Sequence, residues 1–406
     1  MISLRVKETF AALQHPNYRL WFIGQLVSLV GTWMQSTAQG FLVFDLTHSP
    51  AFLGYVSFAA GIPTILLTLF GGLVADRISK RKLLIITQSM MMVLAALLAV
   101  LAFTHLVQPW HIIVLSFMLG IANAFDTPTR QSFVAEMVER KDLTNAIALN
   151  ATMFNLGVVV GPAVAGVIYA LLGPGWCFTI NAISFVAVIS ALAMMSLGKF
   201  EMPERRPPWE DIKEGFTAAF SNQTIRLLLG NLAIVGGFGF GILVLIPAWA
   251  VEVVHGGVTT NGLLLSARGF GSLIGGLMVA SLGSHGFRGR IYTIGTFVLP
   301  LAVLAFGLAR WIPFSLLMLA VVGWSLMAVV NVSNTLIQSL ASDHLRGRVM
   351  SFYALIFMGG TTMGGLLAGM LANVFGEPVA VYISAGVLAL MGILTYALQS
   401  FVRHLK

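Results

Sequence analysis

Gly72-Leu73-Val74-Ala75-Asp76-Arg77-Ile78-Ser79-Lys80-Arg81-Lys82 is the stretch on which the fold turns. An apolar run of membrane length, 51–75, leads into it, and another, 83–105, leads out. Between them an aspartate and four basic residues crowd into a turn too short to hold structure of its own. Asp76, at the end of an apolar helix, is suited to accept backbone N–H groups at a neighbouring helix N-terminus, where negative charge is favoured. Arg77, Lys80, Arg81 and Lys82 anchor the turn on a cytoplasmic membrane face. Gly72 is expected to admit close approach of a neighbouring helix.

Outward from this turn the same pattern repeats. Hydrophobic residues make up 58% of the 406 and charged residues 9%, against about 25% charged in soluble domains. So few charges leave no water-facing exterior, and most of the surface must meet lipid. About 20 apolar residues cross the hydrocarbon core. The sequence predicts spans at 18–44, 51–75, 83–105, 111–128, 143–172, 176–197, 226–251, 259–282, 291–309, 313–335, 350–374 and 378–400. The expected fold class is therefore an all-α membrane protein of twelve transmembrane helices. With the N-terminus cytoplasmic, 21 of the 23 Lys and Arg fall in cytoplasmic segments. Only Arg310 lies outside, and Arg268 falls within a span. That asymmetry orients the chain with both termini cytoplasmic.

The net charge of +8 is thus a matter of topology, and no nucleic-acid partner is expected. Met1 to Phe10 lacks an apolar core and cleavage site, so no cleaved signal peptide is expected. The single cysteine, Cys177, reads as a small buried residue and allows no intramolecular disulfide.

The longest polar stretch, Lys199 to Asn222, holds Pro203, Pro207 and Pro208. Trp209, Ile212, Phe216, Ala219 and Phe220 then follow at helical spacing. It reads as a stiffened linker and a short surface helix. The expected organisation is an N-terminal six-helix bundle (1–198), a linker (199–225) and a C-terminal six-helix bundle (226–406). The halves echo one another. Asp126-Thr127, Gln131-Ser132 and Glu136 correspond to Asn334-Thr335, Gln338-Ser339 and Asp343, with Gly157 and Gly364 at matching distances beyond. Duplicated halves belong to carriers that rock about a central site.

The turn resembles the signature loop of the major facilitator superfamily. The family pattern is matched at Gly72, Asp76, Arg77, Arg81 and Lys82, with Ser79 where glycine is usual. The resemblance implies a fold of two pseudo-symmetric six-helix bundles. It implies that Asp76 pairs across the halves with the eleventh helix, which begins after Arg348. It implies too that the loop's basic residues reach an acid at the cytoplasmic end of the fourth helix, with Asp126 the candidate. The second-half loop is degraded: Ala280 follows Gly276 where an aspartate is expected, while Arg288 and Arg290 keep the charge. In the fifth span, Gly157, Gly161, Pro162 and Gly166 are similar to an element of proton-driven drug exporters, and glycines four apart serve helix packing. Across 10–400 the chain is similar to the enterobactin-exporter and macrolide-efflux branch, through His15-Pro-Asn-Tyr-Arg19, Asp45-Leu-Thr-His-Ser-Pro50 and Asn145-Ala-Ile-Ala-Leu-Asn150. Ser116 stands four residues before Gly120, where many proton antiporters hold an arginine, so the proton-coupling residue is left unassigned.

Within the first span, Gln25, Ser28, Thr32, Gln35 and Gln39 share one helix face. Lipid excludes such a stripe, so it faces a water-filled path or other helices. Gln25, Thr32, Gln35, Gln39, Asn123, Arg268 and Asn331 form the expected substrate pathway. Trp33, Asn155, Asn231, Trp249 and Trp324 are lesser candidates. Arg268 is the sharpest of these, because a charge at mid-span costs at least ~2.5–3.5 kcal/mol unless it meets water or a partner. It is expected to bind an anionic substrate group or to tune a coupled carboxylate, with a structural ion pair as the alternative. Asp45, Glu252 and Glu377 lie near the outer face.

Several function classes are excluded. No phosphate-binding loop of the Gly-rich Lys-Ser/Thr type is present, and the eight histidines show no metal-ligand spacing. No nucleophile, base and orienting acid cluster together, so no enzyme, metal or cofactor is expected. The expected function is secondary active, proton-coupled export of a small organic or amphipathic molecule, a drug or siderophore, by a monomer in a bacterial inner membrane. Uptake or lysolipid and metabolite transport by the same fold is the alternative. A receptor or assembly factor is a more distant one.

Overall fold

The computed structural model describes residues 10–196, 221–282, 288–342 and 345–398. The expected linker helix before residue 221, both termini, and Asp343 lie outside the described residues.

Among the described residues, twelve helices of membrane length run in chain order, because a backbone in hydrocarbon must satisfy its own N–H and C=O groups. They are α1 (Pro16–Thr47), α2 (Pro50–Arg77), α3 (Lys80–Phe103), α4 (Pro109–Met137), α5 (Leu143–Leu172) and α6 (Pro174–Met194). The second half has α7 (Gln223–Val253), α8 (Val258–Leu282), α9 (Arg288–Leu308), α10 (Ile312–Leu340), α11 (Arg346–Phe375) and α12 (Glu377–Leu398). Eleven are long and apolar enough to cross a membrane by composition. The remaining one, α1, is a 32-residue helix whose polar stripe lowers its apolar character. Punctuation in the sequence sets the ends. Pro16, Pro50, Pro109 and Pro174 open helices, where a missing N–H costs nothing. Gly173 and Gly376 follow α5 and α11 with φ of 87° and 84°, the left-handed conformation glycine adopts freely.

Two helices differ from expectation. The fourth span, expected to end at 128, continues to Met137. Pro128 sits inside it and offers no N–H to the carbonyl of Ala124. Gly71 of α2 lies against that carbonyl, so close that a Cβ there would collide with it. The seventh span is not one regular helix. Asn222 caps it, accepting from the N–H groups of Thr224 (2.9 Å) and Ile225 (3.2 Å). It is α-helical over Gln223–Ile234, π-helical over Val235–Phe240, 3-10 over Gly241–Leu245, and π-helical again over Trp249–Val253.

The chain divides into two compact units. The first holds α1, α2 from Ile62, and α3–α6; the second holds Thr47–Gly61 and α7–α12. Inside the second unit, Gly54 packs against the backbone of Gly365 and Leu366, and Gly369 against Pro50 and Gly54. Ser49 Oγ donates to Asn373 Oδ1 at 2.7 Å. The irregular turns of α7 press on α11 with glycine against glycine: Gly237 and Gly241 meet Gly364, and Gly236 meets Gly360. The second unit's apolar core centres on Trp249, Phe306, Tyr292 and Leu326.

Candidate functional site

In the first unit the signature loop is part of a network at one end of the bundle. α2 stops at Arg77 and α3 starts at Lys80. Lys80 Nζ pairs with Glu136 Oε1 at 2.6 Å, tying α3 to the last turn of α4. Arg81 donates to the carbonyls of Met195 (3.0 Å) and Ala193 (2.6 Å), satisfying the open C-terminus of α6. Asn17 reaches the same place, donating to Ser196 O (2.7 Å) and accepting from Ser196 N (3.2 Å). Two of the stretches typical of the exporter branch meet here. His15 Nε2 contacts Asp142 Oδ2 at 2.8 Å, and Asn145 Oδ1 accepts from Ala12 N at 2.9 Å. Tyr18 donates to the carbonyl of Ala146 at 2.8 Å. Arg77 and Lys82 are exposed, and of Asp76 only the backbone is among what the structure describes.

Two loop expectations need correction. Gly72 has no described atom within 4 Å of where a Cβ would stand, so the close approach belongs to Gly71 instead. Asp126 is not the acid that the loop's basic residues reach. Because α4 continues past Pro128, Asp126 lies about 16 Å before its end at 1.5 Å per residue, only 1% exposed. Its Oδ1 accepts from Thr87 Oγ1 (2.9 Å) and Gln88 Nε2 (2.8 Å) of α3, and Arg130 Nε lies 3.6 Å from Oδ2. The acid paired to the loop is Glu136.

The stripe on α1 separates into two parts. Gln35 Oε1 accepts from Asn181 Nδ2 of α6 at 2.6 Å, and Gln39 Nε2 donates to Ser116 Oγ of α4 at 2.7 Å. Ser116, at the site where many antiporters carry arginine, is therefore a helix-packing partner here. Gln25 is buried with Oε1 unpartnered, and Ser28 is buried. Thr32 and its neighbour Ser36 remain exposed at mid-helix. They lie on the side of α1 away from Val27 and Met34, which line an apolar cavity of about 460 Å³ with Val164, Ile180 and Ile183. The apolar cavity and the polar side chains thus lie on opposite faces of one helix.

Gly157 and Gly161 let α5 rest on α1, their missing Cβ positions lying against Trp33. Pro162 and Gly166 are buried in the same helix. Trp33 stacks edge-on with Phe154, ring centroids 5.6 Å apart. Asn155 donates to its own helix at Ala151 O, and Asn123 is half-buried.

In the second unit, α8 and α10 cross with backbones in contact. A Cβ on Gly323 would strike the carbonyl of Arg268, and one on Gly271 would strike Ala320 O. Ser272 donates to Gly323 O at 3.3 Å. Arg268 is 9% exposed, its Nε enclosed without a hydrogen-bond partner. Among the described residues no acid pairs with it. Two turns earlier on α8, Asn261 is fully buried, and neither its Oδ1 nor its Nδ2 has a partner. The sequence hides Asn261, because Thr259-Thr260-Asn261 at a span's start reads as helix capping. Of the remaining candidates, Asn331 is half-buried beside Gly276, and Asn231 donates to Tyr292 Oη. Trp249 stacks on Phe306 at 4.4 Å with Arg310 over its ring at 5.9 Å. Trp324 packs beside Gly275.

Residues 7–403 match the family described as transmembrane secretion effector. Over 362 residues the chain is 24% identical to the Staphyloferrin A transporter of Staphylococcus aureus, covering 88% of this chain and 90% of that one. It is 26% identical to the multidrug efflux pump Tap of Mycolicibacterium fortuitum, covering 86% and 88%. It is 23% identical to the enterobactin exporter EntS of Escherichia coli K12, covering 97% and 94%. Among solved structures, the nucleoside transporter NupG superposes with a TM-score of 0.75 at 13% identity, covering 95% of this chain and 99% of that one. A bacterial homolog of the human lysosomal transporter Spinster superposes at 0.74 and 15%, covering 96% and 98%. These likenesses establish the fold.

Proposed function

The chain belongs to the transmembrane secretion effector family of major facilitator transporters, and from that premise we propose that it exports a small organic molecule of the drug or siderophore class in exchange for protons. The bundles 1–198 and 226–406 rock about a central path, joined by the linker 199–225. The chain works as a monomer in the bacterial cytoplasmic membrane with both termini inside.

The exposed polar face of α1 carries this reading. Thr32 and Ser36 are exposed at mid-helix, a depth at which polar side chains face water or protein rather than lipid. They lie opposite the apolar cavity of α1. α1 therefore has a wet side and an oily side, as the wall of a substrate path requires. Likeness to a multidrug efflux pump and an enterobactin exporter supports the outward direction. The loop network of Lys80, Glu136, Arg81 and Asn17 holds the first bundle's cytoplasmic end rigid, so that the bundle moves as one body.

Cells overproducing the protein should lose preloaded dye or labelled siderophore faster than cells lacking it, and a protonophore should abolish the difference. Equal retention in both strains would sink the export reading, and efflux indifferent to the protonophore would sink proton exchange. Replacing Thr32 with Leu should slow efflux several-fold without changing membrane abundance.

A further inference from the structure

Among the described residues of α8, the buried side-chain atoms left without a hydrogen-bond partner belong to Arg268 and Asn261. They are seven residues apart on α8, which returns them to nearly the same helix face about 10 Å apart along the axis. Helical side chains lean toward the N-terminus, so the long side chain of Arg268 leans toward Asn261. Arg268 is nine-tenths buried with Nε unpartnered, and Asn261 is fully buried with both amide atoms unpartnered. Two features keep Arg268 in place. Its backbone is wedged against Gly323 of α10, and Ser272 one turn on holds the same glycine's carbonyl.

A cation at such depth needs an anion or water. The acids among the described residues of this unit are Glu252 and Glu377. Glu252 lies in the last turn of α7 and Glu377 is the first residue of α12, and neither pairs with Arg268. The protein therefore does not supply the counter-charge from these residues, which argues against tuning of a coupled carboxylate and against a structural ion pair.

We infer that Arg268 and Asn261 form a recognition site for an organic carboxylate bearing a hydrogen-bonding group close to its carboxyl. The guanidinium fork matches both carboxylate oxygens. The amide, with one acceptor and two donors, takes a hydroxyl or amide group of the same ligand. The inference rests on the exporter reading above and names the chemistry of its cargo.

The test uses the purified full-length chain in detergent, with citrate, benzoate and N-acetylglutamate as probes, each beside its methyl ester. Binding is read by thermal shift, since a ligand bound only by the folded state raises Tm. At least one acid should raise Tm while its ester does not. Arg268→Gln should weaken that acid tenfold or more, and Arg268→Lys should weaken it less. Shifts by none of the acids, equal shifts by acid and ester, or undiminished affinity in Arg268→Gln would each overturn the site. If Arg268→Gln fails to accumulate, Asn261→Leu provides the readout. It should weaken acids that carry a hydroxyl or amide several-fold and leave benzoate unchanged, and equal weakening of all three would overturn the pairing. Wild-type protein that drives protonophore-sensitive dye efflux yet binds no acid defeats this inference alone. Protein that drives no efflux defeats the exporter reading.

Discussion

The first unit joins Gln35, Gln39 and Asp126 to polar neighbours, and the second leaves Arg268 and Asn261 unspent. In the first unit Gln35 meets Asn181, Gln39 meets Ser116, and Asp126 meets Thr87, Gln88 and Arg130. In the second, Arg268 and Asn261 are as deeply buried and have no such partners. The backbones differ in parallel. α1 and α3–α6 of the first unit are α-helical from end to end, while α7 of the second changes between α, π and 3-10 turns. π turns inside helices recur at functional positions. Polarity at membrane depth therefore has two meanings here. Where partners converge it is a fastener, and at the proposed site of Arg268 and Asn261 it awaits a ligand.

The largest expected effect falls on the crossing that holds Arg268. Gly323→Val drives a side chain into the Arg268 carbonyl, a backbone atom that yields only if the helices part. A loss of about 3 kcal/mol, read as a lowered Tm, should accompany loss of carboxylate binding. Gly157→Ala in the first unit should cost less, because its Cβ meets the Trp33 ring edge at 2.9 Å and a side chain can turn aside. If the two variants lose equal stability, the α8–α10 crossing does not hold the Arg268 backbone in place.

Asn261→Leu separates fastener from site by sign. Removing a buried amide that has no partner relieves a desolvation penalty of about 1–3 kcal/mol, so Tm should rise while recognition of hydroxyl- or amide-bearing carboxylates falls. Gln35→Leu does the reverse. It strands Asn181 and should lower stability by about 0.6 kcal/mol, the usual worth of an interhelical hydrogen bond in a membrane, with transport retained. A rise for both variants, or a fall for both, would erase the distinction.

The spans were legible because hydrocarbon allows a backbone few choices, and residue runs of that length leave a plain trace. The stripe on α1 was legible as a face, but its division was not. Gln35 and Gln39 find partners 146 and 77 residues away in sequence, and only the fold decides which stripe residues meet a neighbour. Pro128 read as the end of a span, yet the helix passes it because Gly71 shelters the carbonyl that the proline frees. That extension left Asp126 buried against α3 and placed Glu136 at the loop. Arg268 stood out by charge alone. Asn261 did not, because an asparagine near a helix start looks like a cap until its side chain is seen to bond nothing.

The smallest expected effect lies at the loop itself. Lys80 and Glu136 sit at 2.6 Å with side-chain exposures of 17% and 39%, so water and salt screen the pair. Glu136→Gln should cost about 0.5 kcal/mol, the ordinary worth of a partly exposed ion pair. The loss should fade as ionic strength approaches about 1 M, where the screening length is about 3 Å. Arg81→Gln acts through a different term. It removes two charge-assisted bonds that cap α6 at Ala193 and Met195, and salt does not restore those carbonyls' partners. Comparing the two variants in low and high salt by thermal unfolding therefore tests what the loop does. If Arg81→Gln is rescued by salt as Glu136→Gln is, the loop is a surface charge cluster and not the clasp that closes the end of the first bundle.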